Sequence, residues 1–336
     1  MKVRASRIEA ISYYLPQKTV SNEDLARDFA SWSPDKIRGK TGIRERHVVA
    51  PGETVSDLAV AAAERLFAEH GVDRRAVDFV LLCTQTPDYF LPTTACLVQD
   101  RLGLRTSVGA LDFNLGCSGY VYGLALAHGL VVSGVASNVL LITAETYTRH
   151  IHPQDRSTRT IFGDGAAATL VELTEVAGIG KFVFGTDGRG AENLIVPAGG
   201  SRKPRSAETS IVRTDKDGNQ RSDENLFMNG MEVFNFTIAS VPKLVQETLA
   251  TNGMIEVDYY VFHQANKFML DHLRQKCGIS ESKFYLDVEH TGNTVSATIP
   301  IALRMAQESG RLKTGMHVLI AGFGVGYSWG GTTLTW

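Results

Sequence analysis

The sequence predicts an α/β fold that contains two copies of one unit. Helical and strand-like patterns alternate along the chain, and glycine, with 32 residues, is abundant at the joints. Two pairs of segments resemble each other: AVDFVLLCTQT (76–86) with EVDYYVFHQAN (256–266), and SNVLLITAE (137–145) with MHVLIAGFG (316–324). Cys117 and Asn293 also each precede a Ser-Gly pair by 16 residues. The offsets of 180, 179 and 176 residues agree closely and favour duplication; chance similarity among apolar strands is the alternative.

The duplication divides the chain into a first half, 1–174, and a second half, 175–336. We predict equivalent helices over 118–132 and 294–308, each beginning just after Cys117 or Asn293. Residues 199–226 interrupt the second half with a polar, charged segment that lacks periodicity. This segment predicts an exposed insertion with a short hairpin at DKDGNQ, and a lid or partner-docking loop is the alternative.

Composition excludes several classes of protein. A formal net charge of −2 indicates neither a nucleic-acid-binding nor a membrane-surface protein, and 43% hydrophobic residues are typical of a globular chain. No apolar run is long enough to span a bilayer, and the first 20 residues lack a secretory pattern. The four cysteines form no Cys-x-x-Cys pair and no zinc-ligand spacing. We therefore expect a cytoplasmic protein with free thiols and no metal ion.

Cys117 lies where a strand-like run, 109–113, gives way to a long apolar helix. A thiol at a helix N-terminus meets free N–H groups and the positive end of the helix dipole, which predicts a lowered pKa. Gly116 and Gly119 allow a sharp turn and the approach of a substrate. Such a thiol suits acyl transfer between thioesters. A buried structural cysteine is the alternative.

In the second half, Asn293 occupies the helix start that corresponds to the one after Cys117, and His263 falls opposite Cys83 of the first half. His263 ends an apolar strand just before a helix predicted to begin near Ala265, and Asn293 stands at a glycine-flanked helix start. A core histidine and a helix N-cap are the alternatives for these two residues. If the duplication holds, both side chains converge with Cys117 near a pseudo-twofold axis.

Several motifs, in order, resemble one known family. They are KTGIRERHVVAPGETVSDLA (40–59), GCSGYVYGL (116–124), FGDGAA (162–167), HQAN (263–266), HTGNT (290–294) and GFGVGYSWGG (322–331). Together they resemble the β-ketoacyl-acyl-carrier-protein synthase III family of thiolase-fold condensing enzymes, over the whole chain except the 199–226 segment. The resemblance implies a thiolase-like fold with layers in the order αβαβα.

The resemblance also implies roles for individual residues. Cys117 would be the acylated nucleophile, and His263 and Asn293 would stabilise the enolate that forms as malonyl thioester loses carbon dioxide. The backbone N–H groups of Cys117 and Val325 would form the oxyanion hole, and Phe323 would keep the carboxylate dry. No metal ion or redox cofactor is implied. The Cys-His-Asn set differs from the Cys-His-His set of relatives that elongate long acyl chains.

The site for coenzyme A departs from the family pattern. The family's adenine-stacking tryptophan is Lys36 here, with Trp32 four residues earlier, while the partner arginine is present as Arg156. The usual arginine before TGIRER is Lys40. A lysine does not reproduce planar stacking or a bidentate contact, so coenzyme A and acyl-carrier protein are the two alternatives for the acyl donor.

The acyl channel departs as well. Asn266 is expected to contact pantetheine, and Gly230 precedes Met231, which replaces a usual asparagine. Leu91 replaces the acyl-pocket phenylalanine of a segment that reaches into the partner subunit, which implies a homodimer and room for a longer or branched acyl group. Phe268 replaces a basic residue, beside Lys267.

Carrier-protein docking is therefore expected at another basic cluster, such as Arg202, Lys203 and Arg205. The function implied is decarboxylative condensation of an acyl thioester, on coenzyme A or acyl-carrier protein, with malonyl-acyl-carrier protein. A specialised relative that passes an acyl group to an alcohol or amine, or condenses an unusual starter, is the main alternative. A non-catalytic binding subunit is a further one.

Overall fold

Two sheets with the same strand order form the interior of the protein. The computed structural model describes residues 4–29 and 31–336. Its strands are β1 (Ala5–Tyr14), β2 (Thr19–Ser21), β3 (Glu45–His47), β4 (Phe79–Cys83), β5 (Gly109–Phe113), β6 (Asn138–Glu145), β7 (Gly165–Thr174), β8 (Val183–Thr186), β9 (Leu194–Ile195), β10 (Arg213–Thr214), β11 (Gln220–Arg221), β12 (Phe227–Met228), β13 (Tyr259–Phe262), β14 (His317–Gly324) and β15 (Ser328–Thr335). Its α-helices are α1 (Asn22–Asp28), α2 (Pro34–Thr41), α3 (Val55–His70), α4 (Thr94–Arg101), α5 (Gly119–Val132), α6 (Arg156–Arg159), α7 (Gly230–Thr251), α8 (Lys267–Lys276) and α9 (Thr298–Glu308).

The two sheets repeat one topology, as the sequence repeats predict. The first has the order β1-β7-β6-β4-β5 and the second β8-β15-β14-β13. Each sheet contains an equivalent parallel pair, β4 with β6 and β13 with β14, and the two pairings that follow it in the strand order are antiparallel. In the second sheet, a parallel bridge between Tyr260 and Phe284 takes the position that the pairing of β5 with β4 has in the first sheet. The repeated Val-Asp pair also has an equivalent contact in both copies: Asp78 accepts from the N–H of Asn138, and Asp258 from that of His317.

Helices cover both faces of each sheet. Helices α5 and α9 pack between the sheets, in one core with strand residues of both. Helices α3 and α4 pack on the outer face of the first sheet, and α7 and α8 on that of the second. Helix α5 is apolar nearly all round, as expected of a helix buried between two sheets. The fold is therefore the duplicated αβαβα arrangement of thiolase-like enzymes.

The predicted helices are confirmed with one difference. Helix α5 begins at Gly119, but in the second half a short 3-10 turn, Val295–Ala297, precedes α9, which begins at Thr298. Val295 has a φ of 56°, so the regular helix cannot start at Asn293. The difference matters because residues of this turn, Val295 and Ser296, hydrogen-bond to Asn293 and to Glu145.

The predicted boundary between the halves falls between β7 and β8, and the 199–226 segment contains the short strands β10 and β11. Strand β7 ends at Thr174 and β8 begins at Val183. These ends are compatible with a division of the chain at 174/175, which stays a prediction.

Strands β9 and β12 pair at the base of the 199–226 segment, and β10 pairs with β11 as a hairpin around DKDGNQ. In the described residues no helix is long and apolar enough to cross a membrane.

Candidate active site

Cys117 lies at the junction of the two halves, just before α5. Cys117 is 5% exposed, and β14 of the second half packs directly against it. A Cβ atom placed on Gly324 would lie 2.9 Å from the Cys117 sulfur, and one placed on Gly322 would lie 2.9 Å from the Cys117 carbonyl oxygen. A larger side chain at either glycine would therefore displace the cysteine.

The glycines beside Cys117 have a different role from the one predicted. A Cβ on Gly116 would lie 2.6 Å from both Gln85 and Val325, and a Cβ on Gly119 would lie 2.4 Å from the sulfur of Cys83. Neither glycine lines the cavity that reaches Cys117. They make room for close packing around Cys117 rather than for an approaching substrate.

The predicted lowering of the Cys117 pKa is wrong. Burial raises the pKa of the thiol to about 12, and the nearby carboxyl of Glu145 adds to the rise. The backbone N–H groups of Cys117 and Val325 donate to the sulfur and lower the pKa only in part. Desolvation outweighs these favourable contacts because the ionised sulfur is withdrawn from water. Burial likewise raises the pKa of Glu145 to about 8.

His263 follows β13 and is 2% exposed. Its backbone N–H donates to the carbonyl of Ala321, and its Nδ1 lies 2.7 Å from the hydroxyl of Thr298. The Phe323 ring meets the imidazole edge-on, with centroids 5.7 Å apart. Burial lowers the pKa of His263 to about 3, so the ring is neutral at physiological pH. With Nδ1 engaged by Thr298, Nε2 is the nitrogen left for a substrate.

Asn293 is 4% exposed and is held by the turn that precedes α9. Its side-chain Oδ1 accepts from the N–H of Val295 at 2.9 Å. Its backbone N–H donates to Ile161, and its carbonyl accepts from Gly163, in the first half of the chain. Because Oδ1 is already bonded, the side-chain amide group is the part of Asn293 available to donate to a substrate.

One apolar cavity of about 360 Å³ reaches all three side chains. It is lined by Cys117, Ile161, Phe162, Leu194, Met228, Gly230, Met231, Val233, Phe234, Thr237, His263, Ala265, Asn266, Phe268, Met269, Asn293, Phe323 and Gly324. Two of these apolar residues line the cavity where it reaches the surface: Met231 is 73% exposed and Phe268 is 59% exposed. The structure thus brings together Cys117, His263, Asn293, Phe323, Asn266, Gly230 and Met231.

Asn266 has a second contact that bears on its predicted role. Helix α8 begins at Lys267 rather than near Ala265, and Asn266 is its N-cap, with Oδ1 accepting from the N–H of Met269 at 2.9 Å. Only the amide group of Asn266 is then available to a ligand.

Leu91 and Arg156 lie apart from this cavity. Leu91 is 83% exposed beside Phe90, which is 93% exposed, and neither lines the cavity of its own chain. Arg156 instead faces Trp32, with its guanidinium carbon 5.5 Å from the centre of the indole ring. It also donates to the hydroxyl of Ser31 and to the carbonyl of Asp217.

The sequence alone does not determine whether Trp32 takes the place of the family's adenine-stacking tryptophan. The ammonium groups of Lys36 and Lys40 lie 5.5 and 5.4 Å from the centre of its ring. The tryptophan four residues earlier in the chain therefore occupies a position against Arg156. A Trp–Arg pair surrounded by lysines is suited to an aromatic base that carries phosphates.

Two residues of the predicted basic cluster are already paired. The Lys203 ammonium lies 2.6 Å from Asp223, and the Arg205 guanidinium lies 3.6 Å from Glu224, both within the 199–226 segment. Arg202 is exposed. The cluster is therefore partly neutralised by its own segment. In the part of the chain that the structure describes, no group of three or more His, Cys, Asp or Glu side chains could hold a metal ion.

Sequence reasoning missed Thr298, Ser296 and Glu145, which support the three central residues. Glu145 was detectable as a charged residue at the end of an otherwise apolar strand, NVLLITAE. Thr298 and Ser296 carry no comparable signal, because hydroxyl side chains near a helix start are common.

Comparisons with known proteins agree with this geometry. Residues 111–188 match the family model described as 3-oxoacyl-[acyl-carrier-protein (ACP)] synthase III, and residues 249–336 match the model for its C-terminal part. A β-ketoacyl-[acyl-carrier-protein] synthase III of Caldanaerobacter subterraneus is 36% identical over 99% of this chain and 98% of the relative. Another, β-ketoacyl-[acyl-carrier-protein] synthase III 3 of Streptomyces coelicolor, is 38% identical over 99% and 98%.

The solved structures give the same result. A crystal structure of a 3-oxoacyl-(acyl-carrier-protein) synthase III is 53% identical, covers 99% of this chain and 100% of its own, and superposes with a TM-score of 0.97. Taken with the shared topology and the match along nearly the whole length, these findings show that the chain belongs to the 3-oxoacyl-acyl-carrier-protein synthase III family of acyltransferases.

Proposed function

We propose that this protein condenses an acyl thioester with malonyl-acyl-carrier protein, with loss of carbon dioxide, at the start of fatty-acid or related lipid or polyketide synthesis. The observation that carries the proposal is the convergence of the buried side chains Cys117, His263 and Asn293 on one apolar cavity. These side chains come from distant parts of the chain, and each offers an atom that one step of the reaction requires.

The first step is acylation of Cys117. The sulfur attacks the thioester carbonyl, a carbon–sulfur bond forms, and the donor's carbon–sulfur bond breaks. The thiol proton leaves with the released donor thiol, so the resting enzyme need not hold a thiolate. The N–H groups of Cys117 and Val325 already point at the sulfur, and are close enough to donate to the carbonyl oxygen when it becomes negative.

The second step is decarboxylation of the malonyl group. The thioester carbonyl accepts hydrogen bonds from the Asn293 amide and from Nε2–H of neutral His263. This tautomer requires the Thr298 hydroxyl to donate to Nδ1, 2.7 Å away, in place of its bond to the carbonyl of Val295 at 3.1 Å. The carbon–carbon bond to the carboxylate breaks, carbon dioxide leaves, and the electron pair is held as an enolate. Phe323 excludes water from the departing carboxylate.

The third step joins the two groups. The enolate carbon attacks the acyl carbon on Cys117, and the carbon–sulfur bond breaks to return the cysteine thiolate, which takes up one proton from solvent. Decarboxylation itself generates the nucleophile, so the two thioesters, Cys117 and this proton account for every bond made and broken.

The direct test is incubation of the protein with labelled acyl-coenzyme A and malonyl-acyl-carrier protein across a panel of acyl lengths. A 3-oxoacyl product and one carbon dioxide per product support the proposal. Product without carbon dioxide would identify simple acyl transfer to another acceptor, and no product across the whole panel contradicts both reactions.

A specialised starter is the second candidate, and the apolar residues Met231 and Phe268 favour it. They stand where the family pattern carries an asparagine and a basic residue, in a lining that includes Phe234 and Met228. Such a surface suits a longer or branched acyl chain better than a short one. A rate that increases with chain length in the same panel would support this candidate.

For the acyl donor we propose coenzyme A, bound by Trp32, Arg156, Lys36 and Lys40. Trp32→Ala should raise the KM for acyl-coenzyme A about tenfold, because stacking on a base contributes about 1–3 kcal/mol. The kcat should change little, since the pair lies apart from the cavity. The measurement is steady-state kinetics with the same acyl group on coenzyme A and on pantetheine, which lacks the adenine. An equal rise of KM for both donors would contradict the assignment.

We further propose a cytoplasmic homodimer in which the segment with Phe90 and Leu91 packs against a second copy. Such exposed neighbouring apolar side chains are typical of an interface. The protein should sediment at twice its chain mass of 36.6 kDa, and Leu91→Asp should weaken the dimer. Val176→Asp, at a similarly exposed apolar residue outside this segment, is the matched control. A monomeric wild-type protein would overturn the proposal.

A further inference from the structure

A buried carboxyl group lies behind the nucleophile, on the side away from the cavity. Glu145 is the last residue of β6 and is fully buried. In the described ranges no lysine, arginine or histidine forms an ion pair with it. Its oxygen atoms are bonded only to neutral donors, and it does not line the cavity. The reaction steps above leave this group without a role, although its ionised form raises the pKa of the Cys117 thiol.

The contacts of Glu145 join the two halves of the chain. On one side, Oε2 accepts from the N–H of Gln85 at 3.1 Å and from the hydroxyl of Thr86 at 3.3 Å, both in the first half. On the other, Oε1 accepts from the hydroxyl of Ser296 at 2.8 Å, in the second half. Through Ser296 the carboxyl holds the turn between Asn293 and α9 against the first sheet.

That turn contacts both donors proposed for the malonyl thioester, although His263 itself follows β13. The N–H of Val295 fixes the side-chain oxygen of Asn293, and the hydroxyl of Thr298 fixes the ring of His263. Ser296 lies between Val295 and Thr298, so its position sets theirs. A shift of this turn would therefore move both donors together.

The backbone of the turn needs such support. Val295 is a β-branched residue with a φ of 56°, a region that L-residues with branched side chains avoid. A conformation of this kind persists where surrounding contacts fix it, and it is common at functional sites. The bond between Glu145 and Ser296, adjacent to Val295, is a contact of that kind.

We propose that Glu145 is a positioning residue that, through Ser296, aims the Asn293 amide and the His263 ring at the malonyl thioester. This inference rests on the proposed function. It assigns the buried carboxyl to the decarboxylation step and not to acylation of Cys117, because none of its bonds goes to the atoms that carry the acyl group.

The test compares Ser296→Ala, Glu145→Gln and the double variant. Carbon dioxide release from malonyl-acyl-carrier protein and acylation of Cys117, followed by intact-protein mass spectrometry, are measured separately. We expect Ser296→Ala to lower the kcat of decarboxylation about tenfold, with KM and the acylation rate unchanged within about twofold. Ser309→Ala is the matched control, because it removes a similar hydroxyl at the far end of α9.

The double variant tests the route. If Glu145 acts through Ser296, the double variant should be no slower than the slower single variant, whereas additive losses would overturn the route. Unchanged decarboxylation in Ser296→Ala, or an equal loss in both half-reactions, would overturn the positioning role. Ser296→Ala keeps the test decisive if Glu145→Gln does not fold. A wild-type protein that releases no carbon dioxide would instead contradict the proposed function itself.

Discussion

Cys117→Ala should abolish condensation, with a loss of about 10⁴-fold or more, because no other thiol in the described part of the chain lines the cavity to form the acyl-enzyme. The substitution shortens a buried side chain by one atom, so the fold should survive. Decarboxylation of malonyl thioester should persist in this variant, since Asn293 and His263 are untouched. The measurements are intact-protein mass after incubation with acyl-coenzyme A, product formation, and carbon dioxide release.

Cys83→Ala is the matched control for this variant. Cys83 is also a buried thiol, its sulfur bonded to the carbonyl of Leu115, but it does not line the cavity. This control should still accept an acyl group on Cys117. A stable acyl adduct on Cys117→Ala, or loss of the adduct in Cys83→Ala alone, would show that the nucleophile has been misassigned.

Asn293→Ala should lower the rate of malonyl decarboxylation about 10²- to 10³-fold, which is typical for removal of one donor to a developing oxyanion. Acylation of Cys117 should continue at nearly the normal rate, because the oxygen formed in that step is served by backbone N–H groups. The two half-reactions, measured separately by carbon dioxide release and by adduct mass, therefore respond differently to this substitution.

Asn293→Asp separates donation by the amide from support of the turn. Aspartate keeps an oxygen for the N–H of Val295 but has no amide protons to give to the thioester. An equally slow decarboxylation in both variants supports the donor role. Normal decarboxylation in Asn293→Asp would mean that Asn293 acts only by holding the turn.

The duplicated α/β unit and the corners at Cys117, His263 and Asn293 were predictable from the residue pattern for a physical reason, whereas the order of the layers followed only from the family resemblance. Buried parallel strands read as continuous apolar runs, and loops at their ends carry the polar residues, so β4, β6, β13 and β14 leave a clear pattern. Duplication then relates the corner at Cys117 to that at Asn293. These are local features, repeated at a constant offset.

The properties that were not predictable depend on tertiary contacts. The pKa of Cys117 is set by desolvation, which no local pattern reports, and this term exceeds the contribution of nearby N–H groups. The place of Trp32 depends on how the segment around α2 folds back toward Arg156, from a distant part of the chain. The turn at Val295 depends on contacts from both halves.

The raised pKa and the burial of Cys117 have a consequence for chemical labelling. Small hydrophilic electrophiles such as iodoacetamide need a thiolate, so they should modify exposed Cys96 well before Cys117. Slow alkylation of Cys117 would thus not identify a non-catalytic protein. Electrophiles with an apolar chain that fits the cavity should show the opposite selectivity, because binding would deliver them to a thiol that bulk reagents scarcely reach.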